Sequence, residues 1–298
     1  MADYSIWVLE YGYVDKFPLS NLLSAQPNEG HRRMPYCFGL ARSAEHCVLV
    51  DTGFYDPAAQ ERITAKYGGN YWRSPVDVLG RIGVSAADVD HVLLTHNHFD
   101  HAGCVGSFPG AHVVIQRREI ERYQEALALP RRFEFLTRAC EATLPRTLEA
   151  RASEQKLTYA DGELAVLPGI ELRPAFDTHT AGSQFVLVEN AADGSWLFAG
   201  DNVYVYENIE GLRGDGVLEP IGTSTGSQSV WLTTIDTALS WVGREPGRVL
   251  PFHDGRLWDR FPSRQHDDGL HIAEISLAAG HESVLPGRTG LPTRREHD

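Results

Sequence analysis

His96-Asn97-His98-Phe99-Asp100-His101 places three imidazoles and a carboxylate within six consecutive residues. Imidazole nitrogen and carboxylate oxygen are the donors that zinc and its first-row neighbours accept. His96 and His98 would point to nearly opposite sides of a helix but share one face of an extended backbone, so the stretch is a loop or strand end and not a helical H-E-x-x-H site. Just upstream, His91-Val92-Leu93-Leu94-Thr95 is apolar and β-branched and reads as a buried strand that delivers the histidines at its carboxyl end. Open α/β sheets carry their chemistry at that end. A closed structural zinc site is usually rich in cysteine, and Cys37, Cys47, Cys104 and Cys140 form no C-x-x-C pair.

Three further residues end apolar runs beside small or turn-forming neighbours. His179 lies in Phe176-Asp177-Thr178-His179-Thr180-Ala181-Gly182-Ser183, Asp201 closes Trp196-Leu197-Phe198-Ala199-Gly200, and His253 follows Arg248-Val249-Leu250-Pro251-Phe252. Singly, each is the kind of polar residue that commonly ends a strand. In order behind the six-residue cluster they read as the remainder of one site. Seven donors exceed one tetrahedral ion and suit two ions roughly 3.5 to 4 Å apart with an open position.

The ordered pattern H-x-H-x-D-H, H, D, H resembles the metallo-β-lactamase superfamily, as does Val48-Leu49-Val50-Asp51-Thr52-Gly53, which is similar to its early strand ending in a D-T-G turn. Within that superfamily the likeness is greatest to the N-acyl homoserine lactonase group, through His98-Phe99-Asp100-His101-Ala102-Gly103 and Tyr204, three residues after Asp201. The resemblance covers roughly residues 4 to 255 and implies an α/β fold, the four-layer αββα metallo-β-lactamase sandwich. It implies that His96, His98 and His179 hold one metal, that Asp100, His101 and His253 hold a second, and that Asp201 bridges them, with Asn97 in a variable place. The ions would be divalent, zinc first, with manganese, iron or cobalt as alternatives.

The implied reaction is opening of a lactone ring, an N-acyl homoserine lactone or related cyclic ester, by a hydroxide bridging the two ions, as in quorum-quenching lactonases. In this scheme Tyr204 donates a hydrogen bond to the developing oxyanion, and Asp100 or Asp201 passes the proton to the leaving group. Tyr204 has a plain alternative, since Tyr204 and Tyr206 alternate with Val203 and Val205 as on a half-buried strand. Asp51 is a candidate for orienting a ligand histidine or, equally, for capping the turn before Gly53. Cyclic amides, imides and other esters fit the same chemistry. An iron-dependent persulfide dioxygenase-like oxidoreductase is the alternative of another class; the related flavodiiron branch has Glu where His98 stands, together with a flavin domain, and neither is seen here.

The remaining features bound partners and organisation. A formal net charge of −13 disfavours nucleic acid as a partner. No run of eighteen apolar residues exists, and Met1-Ala2-Asp3 lacks the positive charge of a signal peptide, so the expectation is a cytoplasmic protein with no membrane partner. The expected partner is a small molecule with a hydrolysable carbonyl, with a homodimer left open. The 298 residues, 42% hydrophobic, can bury one sizeable core.

We expect a hydrolase domain over residues 1 to 255 with a helical insertion over about 117 to 152, and an extension over 256 to 298 whose last dozen residues, from Pro286, are loose. Strands are expected over 4 to 11 and 36 to 50, with a Pro- and Gly-bearing loop between them, and helices over 57 to 67 and around 269 to 279. Trp72, Tyr71, Trp231, Trp258 and Phe261 are candidates to wall an apolar pocket. His31, His46, His91, His112, His266, His271, His281 and His297 lack motif partners; His266 and His271, which flank Asp267-Asp268, would touch substrate if the tail folds over the site.

Overall fold

The computed structural model describes residues 3–24, 26, 30–69, 71–191 and 193–285. The expected loose end and His297 lie outside these residues, as do Pro27, Asn28 and Glu29 of the early loop.

The chain begins with a long strand, β1 (Ser5–Pro18), and a short helix, α1 (Leu19–Leu22). The single strand expected over 36 to 50 is two, β2 (His31–Arg42) and β3 (Cys47–Val50), in antiparallel register. They part at a serine turn, in which Ser43 Oγ accepts the backbone N–H groups of Glu45 and His46 at 3.2 and 3.0 Å. The helix α2 (Pro57–Tyr67) falls where expected: Asp56 caps it by accepting Ala59 N–H, proline opens it, and Gly68 ends it at φ 72°.

There follow β4 (Tyr71–Trp72), α3 (Pro75–Gly80), β5 (His91–Leu93), α4 (Phe99–Ala102) and β6 (His112–Gln116). The helical stretch after β6 consists of α5 (Arg117–Leu127), a 3₁₀ turn (Arg131–Leu136) and α6 (Leu144–Ser153), before β7 (Leu157–Ala160). Since β6 and β7 pair in parallel, these helices form the crossover that a parallel pair requires.

A second set of strands follows as β8 (Leu164–Leu167), β9 (Ile170–Pro174), β10 (Gln184–Asn190) and β11 (Gly194–Gly200). Then come α7 (Glu207–Glu210), α8 (Gln228–Trp241), β12 (Val249–Pro251), α9 (Leu257–Arg260), β13 (Ser263–Gln265) and β14 (His271–Ser276). The helix expected around 269 to 279 is thus a strand. It lies along β1, pairing Glu274 with Trp7 and Ile272 with Leu9, and it is buried on both faces over Ile272–Ser276, so its sequence lacks the alternation that separates strand from helix.

One sheet has the order β13-β14-β1-β2-β3-β5-β6-β7, with β4 also on β1, and the other has the order β12-β11-β10-β9-β8. The run β3-β5-β6-β7 and the pair β11-β12 are parallel. The two sheets face each other closely: a Cβ added at Gly39 of β2 would meet the Phe198 ring of β11 at 2.4 Å. On the outer faces, Trp241 of α8 packs edge-on against Phe185 of β10, while Leu144 and Leu148 of α6 are buried beside β6 and β7. Helices outside two apposed sheets make the four-layer αββα sandwich, and its seam brings the carboxyl ends of β3, β5, β11 and β12 to one edge.

Candidate metal centre

At that edge four segments converge. β5 and Thr95 deliver His96, His98, Asp100 and His101; the turn between β9 and β10 delivers His179; β11 ends in Asp201; β12 leads into His253. Asp201 can stand where it does because Gly200 takes φ 55° and packs against Thr95, which a Cβ would meet at 2.5 Å. Gln184 N–H, donated to the Thr95 carbonyl at 3.0 Å, ties the two sheets together beside the cluster.

Donor atoms of His96, His98, His179 and Asp201 lie within 4.8 Å of one another, and those of Asp100, His101 and His253 form a second such group. Asp201 faces both. Its Oδ2 is 3.7 Å from His96 Nε2 and 3.4 Å from His179 Nε2, while its Oδ1 is 3.0 Å from His101 Nε2 and 3.1 Å from His253 Nε2. Asp100 Oδ2 is 3.7 Å from both His101 Nε2 and His253 Nε2. The structure therefore brings all seven sequence-derived donors into one site, divided four and three.

The outward nitrogens explain why the inward ones are free to ligate. His253 Nδ1 faces the Pro35 carbonyl at 2.8 Å and His179 Nδ1 the Thr223 carbonyl at 3.1 Å. His101 Nδ1 faces Asp51 Oδ2 at 2.7 Å, and His96 Nδ1 faces Thr95 Oγ1 at 3.0 Å. Each partner accepts a hydrogen bond, which assigns N–H to Nδ1 and, in the neutral ring, leaves the Nε2 lone pair inward. His98 is turned the other way, its Nδ1 being 3.0 Å from His179 Nε2.

A donor set of five imidazoles and two carboxylates suits divalent zinc-like ions. His96 Nε2 is buried without a hydrogen-bond partner, and buried His101 Nε2 and Asp201 Oδ1 have none outside the cluster, where Asp201 Oδ1 lies 3.0 Å from His101 Nε2 and 3.1 Å from His253 Nε2. Buried polar atoms that converge without bonding are costly unless something between them takes their lone pairs, and two cations fit.

Electrostatics divide the histidines of the metal-free protein. Burial holds His98 down at about 4 and His179 at about 3, and it lowers His96 well below the usual imidazole value, helped by the neighbouring imidazoles. Burial also opposes the charging of His101 and His253, but Asp201 and Asp100, joined at His101 by Asp51, outweigh it and raise both. Tyr204 is pushed well above the usual phenol value by burial and by Asp201 and Asp100, so it is a protonated donor at neutral pH.

Tyr204 lies in the turn between β11 and α7, not on a strand as its alternation with valines allowed. Asn208 Oδ1 accepts its backbone N–H at 3.1 Å, and its ring sits 5.6 Å from the rings of both His179 and His253. Its hydroxyl reaches the Thr223 carbonyl only weakly, at 3.4 Å, and lines a cleft of about 620 Å³ whose floor includes His98, Asp100, Asp201 and His253.

None of the five aromatics expected to wall the pocket lines this cleft. Trp231 is buried in α8 and donates to the Asn202 carbonyl; Trp258 stacks on His271 and Phe261 packs on Trp196. Trp72 backs Tyr36 from behind, and Tyr71 stacks on Tyr13. Besides Tyr204, the cleft's aromatics are Phe99, within the six-residue cluster, and Phe17, Tyr36, Tyr67 and Phe135, brought in from segments whose neighbours in sequence give no sign of it. The tail does not bring His266 or His271 to the site: His271 meets Glu10 at 2.9 Å, and Asp268 is held by Arg73 and Arg81. At the opposite end of β5, His46, Asp90 and His91 form a separate half-buried group of ligand-type residues.

Glu119 is the residue that sequence reasoning missed. Its buried carboxylate accepts Asn97 N–H at 3.0 Å, the Thr180 hydroxyl at 2.8 Å and Gly182 N–H at 2.8 Å, so it clamps the six-residue loop to the His179 turn. The available signal was its position on the same helical stripe as Ile120 and Tyr123, within an otherwise charged run.

Comparison with known proteins agrees with this geometry. An N-acyl homoserine lactonase from a Bacillus species is 29% identical over 188 residues, which are 59% of this chain and 66% of that protein, so the match spans just under two thirds of its length. Among solved structures, an N-acyl homoserine lactone hydrolase with N-hexanoyl-L-homoserine bound at its catalytic metal center superposes with a TM-score of 0.66 at 24% identity, covering 88% of this chain and 98% of that one. AidC, a dizinc quorum-quenching lactonase, superposes with a TM-score of 0.58 at 16% identity, covering 93% and 98%. These likenesses show the shared fold. The family model of the metallo-β-lactamase superfamily matches residues 38–253, a span that contains every one of the seven donors, and the chain belongs to that superfamily.

Proposed function

We propose that this protein is a dimetal hydrolase that opens a lactone ring, with zinc as the first candidate metal. The observation that carries the reading is Asp201, whose two oxygens are divided between two buried groups of imidazoles. His96, His98 and His179 would hold one ion, Asp100, His101 and His253 the other, and Asp201 would bridge. When bound, two such ions supply Lewis acidity and a water of lowered pKa, toward about 7.

The chain's own groups supply the rest. Tyr204, kept protonated, donates to the oxyanion that forms from the substrate carbonyl. Asp100 and Asp201 border the cleft and are the carboxylates placed to carry a proton from the attacking water to the leaving alkoxide. Apolar walls from Phe17, Met34 and Ile63 limit water around the substrate body. The lactonase relatives favour a lactone over a cyclic amide, imide or acyclic ester.

We place the hydrolytic unit in residues 1 to 255 and treat 256 to 298 as an extension, which contributes β13 and β14 to the edge of the first sheet. Among the described residues no helix is long and apolar enough to cross a membrane, and all four cysteines are free, which suits the cytoplasm.

The test is a panel of lactones, cyclic amides and linear esters followed by proton release, with protein of measured metal content. Turnover of lactones that rises with metal loading to two equivalents supports the reading. One iron per chain with oxygen uptake would replace it by the oxidoreductase alternative.

A further inference from the structure

The mouth of the cleft is basic, although the chain carries a formal net charge of −13. Arg62 and Lys66 stand one turn apart on α2, and Ile63 and Tyr67 occupy the adjacent row of the same helix; all four line the cleft. Arg138, from the segment between α5 and α6, lines it as well. Two cations four residues apart with no acid interposed repel each other, which a purely structural surface would avoid.

No carboxylate stands within 4 Å of any of these three among the described residues. Many other basic side chains are paired: Arg73 and Arg81 meet Asp268, Arg260 meets Glu210, and both Arg32 and Arg256 meet Glu207; among the described residues Lys16, Arg42, Arg132, Arg146 and Arg264 are unpaired as well but are scattered, whereas Arg62, Lys66 and Arg138 share one cleft. Two of the cleft cations rest instead on its aromatic walls. Lys66 Nζ lies 4.7 Å from the Tyr67 ring centre, and the Arg138 guanidinium lies 4.4 Å from that of Phe135. Among the described residues the only acids lining the cleft are Asp100 and Asp201 at its floor, the proposed metal ligands, whose charge two divalent ions would outweigh.

From floor to mouth the cleft thus offers a candidate metal centre, an apolar stretch and three cations that lack counter-ions among the described residues. We infer that the substrate is a lactone with a short apolar body and an anionic group, carboxylate or phosphate, at its far end, seated by Arg62, Lys66 and Arg138. The inference rests on the lactone-hydrolase reading and narrows it away from lactones that end in a neutral alkyl tail. Arginine pairs with either anion in bidentate geometry, and lysine adds a point charge.

The experiment titrates metal-loaded protein calorimetrically with ring-opened hydroxy acids of equal length that end in methyl, carboxylate or phosphate. An anionic end should bind about tenfold tighter than methyl at low salt, and the ratio should shrink at 0.5 M salt (on the order of a 4 Å Debye length). Whichever of carboxylate and phosphate shows the larger ratio names the source of the anion. The triple variant R62A/K66A/R138A, its fold checked by unfolding midpoint and its metal by analysis, should lose the preference, and R62E/K66E/R138E should reverse it. Equal binding of methyl and both anionic ends by the wild type, or a preference that survives the triple alanine change, overturns the inference. Because binding is read without turnover, failure of every lactone to be hydrolysed by the same preparation would count against the hydrolase reading alone.

Discussion

Asp51 Oδ2 and His101 Nδ1 lie 2.7 Å apart, and both side chains are fully buried. The same carboxylate accepts Thr95 N–H at 2.7 Å and the Thr95 hydroxyl at 2.7 Å, and that hydroxyl oxygen in turn accepts from His96 Nδ1 at 3.0 Å. One carboxylate therefore fixes the ring orientation of a histidine in each metal group. Asp51 does so from a left-handed backbone conformation, φ 64°, which aspartate tolerates better than most residues. Asp51→Asn should weaken metal affinity about 10- to 100-fold, measured by competition with a chelator. Wild-type affinity in that variant would remove Asp51 from the metal centre.

Glu119→Ala should destabilise the fold by about 3 kcal/mol, since it strands the buried N–H groups of Asn97 and Gly182 and the Thr180 hydroxyl. Glu119→Gln, which keeps acceptor capacity, should cost less. Denaturant unfolding of the two variants checks the order, and equal midpoints for wild type and Glu119→Ala would refute the clamp.

Tyr204→Phe should lower kcat about ten- to a thousandfold with metal content unchanged. Because burial and two carboxylates hold the phenol well above its usual value, its titration should contribute no alkaline limb to the rate below about pH 10. An unaltered kcat would return Tyr204 to a packing role.

Metal uptake should release protons unequally. At pH 7 the metal-free protein holds His98 and His179 neutral, at about 4 and about 3, whereas Asp201 and Asp100 favour protonated His101 and His253. The protons displaced on loading should come from the latter pair, and their number should fall as the pH is raised through their folded values. The same shifts set the stability of the metal-free protein. Stability from His101 and His253 is full below 6.5 and lost as pH rises through their raised values; stability from His98 and His179 is present above 6.5 and lost as pH falls toward about 4 and 3. The unfolding midpoint of metal-free protein should therefore peak near pH 6.5 in a scanning calorimeter, and a monotonic profile across pH 4 to 9 would contradict the division of the histidines.

Chelation should lower that midpoint at pH 7, because an ion held at a thousand times its Kd contributes about 4 kcal/mol. The midpoint should climb with the logarithm of free zinc as metal is restored. A midpoint indifferent to metal would mean that the folded state gains nothing from occupation of the site.

The six-residue cluster, His179, Asp201 and His253 were legible in the sequence because each is a ligand-type residue at the end of an apolar run, and strand ends meet at one edge of an α/β sandwich. The helix at 57 to 67 was legible from Asp56, Pro57 and Gly68, which act locally. The strand β14 was not, since burial on both faces erases the period that distinguishes strand from helix and its partner β1 lies more than 250 residues away. The pocket aromatics were misassigned for a related reason: any large aromatic reads as buried, and which cavity it borders depends on the packing of remote segments.

Sequence alone determined the chemistry of the donors, their order and the likeness to a superfamily, since ligand type and local spacing are properties of the covalent chain. Only the tertiary structure decided that Asp201 turns one oxygen to each imidazole group, that Asp51 orients histidines of both, that Glu119 clamps their loops, and that three cations without counter-ions among the described residues stand at the mouth. Those are relations between side chains brought together by sheet packing across tens to hundreds of residues, where neither spacing nor periodicity carries a signal.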